Sequence, residues 1–334
     1  MLPAMVLAAG LGTRLRPLTF ELPKPMVPML DRPVLAHIVD LLHHHGVDRI
    51  VANLHYFPDS IRGYFGDELT YVEEAELLGT AGGVRNAREF FGDSPFLVIS
   101  GDALTDLDVP ALVERHRAHG GIATLCVTKV QETSEYGVVL RDSEGRITGF
   151  QEKPHPDEAL SDLANCGIYV FSPEIFDYFP SESFADFAHD VFPRLLENDV
   201  PFFIHELEGY WNDVGSLTEL RNGTFDALSG ELQLPSLPTA GPEAVIVDRS
   251  SSLDAAELVE GPIWVGRNVT VESGVRLQGP LVLGDNVVVR EGSAIKRSIV
   301  LPGTEIRPNT ILIEAITGQT GIVEALRTRT ETRG

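Results

Sequence analysis

Four stretches of this chain carry residues whose type and spacing suit chemistry on phosphates. After an apolar run, the segment Leu7-Ala8-Ala9-Gly10-Leu11-Gly12-Thr13-Arg14 ends in a guanidinium, and Pro23-Lys24-Pro25 follows with an ammonium. Glycines lack a Cβ, so backbone N–H groups can close on phosphate oxygens. Arg14 offers a rigid two-pronged fork and Lys24 a mobile point charge. The third glycine of a dinucleotide-binding G-x-G-x-x-G is missing, because Leu15 stands there, and no Gly-Lys-Ser/Thr of a Walker A loop follows. Phe96-Leu-Val-Ile-Ser-Gly101-Asp102 is an apolar strand ending in a carboxylate, and Gly209-Tyr-Trp-Asn-Asp213-Val-Gly215 sets a second carboxylate in a glycine-flanked turn. Two carboxylates joined by substrate phosphates suit Mg2+, which prefers oxygen ligands and keeps water. Taken singly, an aspartate at a strand end is more often a cap or turn former; beside a phosphate loop the two read as metal ligands. Gln151-Glu152-Lys153-Pro154 adds a further charge pair, which on an open surface would be worth little.

The stretch from Leu7 to Met26 resembles the signature of the nucleoside-diphosphate-sugar pyrophosphorylases, the sugar-1-phosphate nucleotidyltransferases, G-x-G-T-R-L-x-P-L-T followed by P-K-P. The resemblance implies an enzyme that joins a nucleoside triphosphate to a sugar 1-phosphate and releases pyrophosphate. It implies that Arg14 holds the departing pyrophosphate, that Lys24 neutralises phosphates around the reacting centre, and that Lys153 meets the sugar phosphate. Leu7, Ala8, Ala9, Gly10, Gly12, Thr13, Gly79, Thr80 and Gly101 would line the nucleotide. Glu152, Asn165 and Gly137 would contact the sugar, and Asp102 and Asp213 would hold Mg2+ as cofactor.

The base-reading segment of that family corresponds to Tyr71-Val-Glu-Glu74-Ala-Glu-Leu-Leu-Gly79-Thr80-Ala-Gly-Gly83. Glu74 stands where thymidylyl members carry a glutamine. A carboxylate only accepts hydrogen bonds, and guanine presents two adjacent donors, so Glu74 is expected to read guanine. The L-G-T-A-G run and Asp190-Val-Phe-Pro-Arg-Leu-Leu196 also resemble the guanylyl members. The expected substrates are therefore GTP and mannose 1-phosphate, giving GDP-mannose. Uridylyl or thymidylyl transfer to glucose 1-phosphate is the alternative, and a non-catalytic nucleotide-sugar-binding regulator is another. The regulator sits badly with the presence of Arg14, Lys24, Asp102 and Asp213 together.

These groups need a scaffold, and the first 231 residues alternate strand-like and helix-like segments. Met5–Ala9, Asp48–Leu54, Phe96–Ser100 and Ile122–Val130 read as strands, and Pro33–His45 as a helix closed by Gly46. The fold class expected is α/β, a Rossmann-like mostly parallel sheet covered by helices, with ligands beyond the carboxyl ends of its strands. Proline density marks a linker over residues 232–245. Beyond it apolar residues recur every six positions: Val247, Leu253, Val259, Val265, Val271, Leu277, Leu283, Val289, Ile295, Leu301 and Ile313, with Arg307 interrupting. A looser series, Val269, Val275, Leu281, Val287, Ile299 and Ile311, runs beside it. That period fits a parallel β-helix, expected over residues 246–318 with a C-terminal tail over 319–334. The series resembles the left-handed hexapeptide-repeat β-helix. Acyltransferases built on such coils use a coil histidine, and none occurs here after His205, so this domain is expected to be catalytically silent.

A net charge of −23 argues against nucleic acid as partner. No apolar run is long enough for a membrane span, and Met1–Ala9 reads as a first strand rather than a secretory signal. Cys126 and Cys166 form neither a disulfide framework nor a metal-ligand spacing; they read as buried thiols of a cytoplasmic protein. His43-His44-His45, pointing in different directions at a helix end, read as surface residues. Small-molecule substrates are the expected partners, with self-association through exposed β-helix coils.

Overall fold

Strands of valine, isoleucine and leucine with no polar alternation must be covered on both faces, and this is how the first half of the chain is built. In the computed structural model, which describes residues 2–238, 241–319 and 321–325, the chain forms two compact units. One comprises residues 2–13, 19–26 and 34–213; the other comprises residues 14–18, 27–33 and those from 214 onward.

The first unit is centred on a nine-stranded sheet: β1 (Ala4–Leu7), β2 (Ile50–Leu54), β3 (Thr70–Glu73), β4 (Phe96–Ser100), β5 (Ala123–Lys129), β6 (Gly137–Arg141), β7 (Ile147–Glu152), β8 (Leu163–Phe171) and β9 (Phe203–Glu206). Strands β3, β2, β1 and β4 lie side by side in parallel, and β9 runs parallel to β5. The antiparallel strand β8 pairs with β4, β5 and β6, and β6 with β7, so the sheet is mixed. The helix Val34–His44 buries Val34, Leu35, Ile38, Val39, Leu41 and Leu42, the face the sequence marks as apolar. Phe91, Phe96, Phe176, Phe187 and Phe192 fill one side of the sheet as stacked rings, with Phe91 and Phe96 centred 4.1 Å apart. Strand order reverses about β1, which lies between β2 and β4. Ligands gather at such switch points, outside the carboxyl ends.

The helix Val109–His119 carries a buried histidine, His116, and a half-buried one, His119, in a chain of hydrogen bonds. The Gly121 N–H donates to His119 Nδ1 (2.8 Å), and His119 Nε2 meets Thr124 Oγ1 (2.8 Å). Thr124 Oγ1 then meets His116 Nδ1 (2.9 Å), and His116 Nε2 meets Ser172 Oγ (3.1 Å). The Gly121 N–H leaves His119 neutral with hydrogen on Nε2, and a neutral His116 continues the chain from Thr124 to Ser172. Burial, then Arg117, holds His116 down at about 4; burial, then His116 and Arg115, does the same for His119. Unfolded, each titrates near 6.5. Between those values the unfolded chain binds protons the native state refuses. Stability is thus full above about 6.5 and falls as pH drops toward 4. Discounted for solvent access, the fall is expected to be on the order of 2 kcal/mol. Urea unfolding at pH 7 and pH 4.5 should show wild type losing that much more than a variant carrying both His116→Gln and His119→Gln; equal losses would remove these histidines as the cause.

In the second unit the helix Leu217–Ser229 is capped by Ser216, whose Oγ accepts from the Glu219 N–H, and ends at Gly230 with φ 85°. The sequence-based boundary at 231 assigned this helix to the first domain; by compactness it groups with the second unit. The coils beyond it form a left-handed parallel β-helix whose three faces are sheets of six, four and three strands. Val245–Val247, at the end of the expected linker, already pairs with Ile263–Val265. Val265, Leu277, Leu283, Val289 and Ile295 point inward, each no more than 1% exposed. From Val265 to Leu283 one coil takes eighteen residues, but Leu283 pairs with Val300, seventeen residues on. The Gly-Pro corner at 279–280 is replaced in the next coil by Arg297 alone, at φ 46°. The inward series therefore continues as Val300, Ile306 and Leu312, not as Leu301, Arg307 and Ile313. This slip corrects the sequence reading and accounts for the interruption at Arg307. It also leaves Ile311 74% and Ile313 45% exposed. Of the expected tail, Gly321–Ala325 is a strand antiparallel to Ala315–Gly318, and residues 326–334 lie outside the described residues. Among the described residues no helix is long and apolar enough to cross a membrane.

Candidate active site

Two strand ends and one turn converge beyond β1 and β4. The Gly101 N–H donates to Leu7 O (2.9 Å), and a Cβ on Gly101 would stand 2.7 Å from that same oxygen. Only glycine lets the two loops cross there. After Gly101, Asp102 leaves the sheet. A short antiparallel ladder pairs Trp211 with Thr105 and Asn212 with Leu104, and it carries Asp213 back beside Asp102. Trp211 secures this arrangement by donating its Nε1–H to Cys166 O (3.0 Å).

Lys24 completes the cluster. Its Nζ lies 2.5 Å from Asp102 Oδ2 and donates to Asp213 O at 3.2 Å. The lysine side chain is 13% exposed and that of Asp102 24%, so the ion pair is partly desolvated and its charge is felt strongly. Gly12 makes this approach possible: at φ 61°, its missing Cβ would lie 2.7 Å from Lys24 Cβ. Thr19 Oγ1 donates to Gly12 O (2.7 Å) and holds the loop's return. Leu7, Ala8 and Ala9 are largely buried, Gly10 and Thr13 exposed. Arg14 is exposed in the turn Thr13–Leu15 and belongs to the second unit.

On the neighbouring edge, Glu152 is paired in register with Gly137, where a Cβ would press within 3.1 Å of Glu152 Oε2. Lys153 follows at φ 45°, half exposed, its Nζ 3.9 Å from Glu152 Oε1. Asn165 uses Nδ2 toward Tyr169 Oη (3.0 Å) and Oδ1 to accept from the Gly167 N–H (3.0 Å). Gly79, at φ 75°, packs against the Ala185 carbonyl, and Thr80 Oγ1 donates to Asp186 Oδ2 (2.8 Å).

Glu74 is placed differently from the sequence expectation. It is 5% exposed, and both carboxylate oxygens already accept from the protein, one from Asn53 Nδ2 (2.7 Å) and one from the Leu78 N–H (3.0 Å). Asn53 was not singled out by sequence; its only signal is an amide inside the buried apolar run Ile50–Leu54. Trp211 was likewise seen only as part of a turn motif. The cysteines are free and buried, as expected, and burial pushes the Cys166 thiol up. His43 to His45 lie half-buried or exposed at the helix end.

A nucleotidyl transferase family model matches residues 3–229. The chain is 38% identical over 285 residues to a UTP–glucose-1-phosphate uridylyltransferase of Synechocystis, covering 79% of this chain and 73% of that one. It is 36% identical over 276 residues to a mannose-1-phosphate guanyltransferase of Schizosaccharomyces pombe, with the same coverage. This chain belongs to the sugar-1-phosphate nucleotidyltransferase family. Among solved structures, HddC of Yersinia pseudotuberculosis complexed with GMP-PN matches with a TM-score of 0.59 and 26% identity, over 67% of this chain and 98% of that one. In this nucleotidyltransferase the glycine loop, Lys24, Asp102 and Asp213 thus lie together beyond one end of one sheet.

Proposed function

We propose that this nucleotidyltransferase uses GTP and mannose 1-phosphate, producing GDP-mannose and pyrophosphate. The observation that carries the class of reaction is the convergence of Lys24 on Asp102 and Asp213 at the end of β4. The guanylyl assignment is supported by the Leu78-Gly79-Thr80-Ala81-Gly82 run and by relatives named as mannose-1-phosphate guanyltransferases at 35–36% identity.

An oxygen of the sugar 1-phosphate attacks the α-phosphorus in line, the bond to the β-phosphate oxygen breaks, and pyrophosphate leaves. The obstacle is repulsion between two anionic substrates, so positioning and charge neutralisation supply the rate. Lys24 holds a proton-bearing charge within reach of the phosphates; Lys153 carries the charge for the sugar phosphate, and Arg14 the fork for the departing pyrophosphate. Glu152, Asn165 and the space left by Gly137 serve the sugar hydroxyls. The donor set fits Mg2+: two carboxylates, with no cluster of three or more acidic, histidine or cysteine ligands among the described residues, suit an ion that takes one or two carboxylates and fills the rest with phosphate and water. Asp102 and Asp213 would hold it, and it would neutralise phosphate charge.

A second reading, UTP with glucose 1-phosphate, is favoured by the 38% identity to the uridylyltransferase of Synechocystis. Pyrophosphate release from GTP, UTP, dTTP and ATP, each crossed with mannose and glucose 1-phosphates, separates the two. The highest kcat/KM is expected for GTP with mannose 1-phosphate; a preference for UTP with glucose 1-phosphate replaces the first reading by the second.

A further inference from the structure

The first unit contains a buried polar chain whose sense is fixed at every link. The Ala8 N–H, at the start of the glycine loop, donates to Asn53 Oδ1 at 2.7 Å. Asn53, in β2 and 3% exposed, donates its Nδ2–H to Glu74 Oε1 at 2.7 Å. Glu74 Oε2 accepts from the Leu78 N–H at 3.0 Å, just before Gly79 and Thr80. The Glu74 main chain is pinned as well, its N–H donating to Leu54 O and its carbonyl meeting His55 Nδ1 (both 2.9 Å). Gly83 leaves the room required: a Cβ there would stand 2.7 Å from both Asn53 Nδ2 and Glu74 Oε1. A backbone donor at each end and an amide–carboxylate pair between them make a bridge from the glycine loop to the turn at Leu78. A buried carboxylate is stable in such a place only while its hydrogen bonds are made.

We infer that Asn53 and Glu74 are positioning residues that lock these two nucleotide segments into one rigid body, so that Glu74 acts through Ala8 and Leu78 rather than by touching the base. The inference rests on the reading of both segments as the nucleotide site. It has a consequence in polarity. Glu74→Gln can still accept from Leu78, but it turns an NH2 group against the NH2 of Asn53. Asn53→Asp sets two carboxylates against each other. Combined, Asn53→Asp and Glu74→Gln restore every link, since a carboxylate at 53 accepts from both Ala8 and the amide at 74, with net charge unchanged.

The test is binding of magnesium GTP and magnesium UTP to wild type, both single variants and the double variant, without sugar phosphate, together with thermal unfolding of each. Each single variant is expected to weaken whichever nucleotide the wild type binds about ten- to a hundredfold, with the KM for sugar 1-phosphate unchanged. The double variant is expected to return to within about threefold of wild type. Should the single variants fail to fold, recovery of both folding and binding in the double variant gives the same support. A double variant no better than the singles overturns the bridge, and so does Glu74→Gln that loses GTP while keeping UTP. Wild type that binds neither nucleotide overturns instead the reading of the site.

Discussion

Asp102→Asn and Asp213→Asn are each expected to lower turnover at least about a hundredfold, the scale for one preorganised electrostatic contact at a reacting centre. Asparagine keeps the shape of the side chain and can still accept a hydrogen bond from Lys24 at position 102. What it loses is the negative charge that a divalent cation needs from a site offering so few protein carboxylates. The loss should fall on kcat and remain at saturating nucleotide and sugar phosphate. Steady-state pyrophosphate release over a range of Mg2+ concentrations, with a chelator control, is the measurement. Near-normal turnover in one variant would remove that residue from the proposed metal site, and full activity in chelator would remove both.

Lys24→Met is expected to be at least as damaging, about a hundred- to a thousandfold in kcat/KM. Its ammonium is 2.5 Å from Asp102 and its side chain is 13% exposed, held there by a loop that Gly12 allows to close. Methionine fills the same length without charge, so packing against Gly12 survives while phosphate neutralisation is lost. Because Lys24 and Asp102 form one unit, the double variant with Asp102→Asn should lose far less than the product of the single losses. A second effect has the opposite sign: Mn2+ should bind the nucleotide-free Lys24→Met protein more tightly than wild type, since the ammonium no longer competes for Asp102. Unchanged Mn2+ affinity would mean that Lys24 and the cation do not share the carboxylate.

Much of the scaffold could be read in advance because it is governed by local patterns. Buried parallel strands announce themselves as unbroken apolar runs, and Phe96–Ser100 was placed with its observed ends. The six-residue period held from Val265 to Ile295 because each coil repeats the same three short sides. It failed at Val300, where a corner drops one residue; one-residue slips at a corner reverse which neighbour points inward, and the sequence offers valine and leucine side by side as equal candidates.

The motifs of the candidate site were legible for the same local reason: Gly12, Lys24, Asp102 and Asp213 each lie in a short segment whose composition is unusual for a turn. Sequence alone determined the family chemistry, the parallel strands and the repeat. Only tertiary structure decided that Lys24 sits on Asp102, that Trp211 anchors the turn bearing Asp213, and that Glu74 is turned inward onto Asn53. Those contacts join residues far apart in the chain, twenty-one positions for Asn53 and Glu74 and 189 for Lys24 and Asp213. Whether a carboxylate faces a ligand or a neighbouring amide depends on which strand lies beside it and on how closely a glycine such as Gly83 lets the backbones approach. No local spacing encodes that choice, because it is made by packing and by the cost of burying a charge without partners.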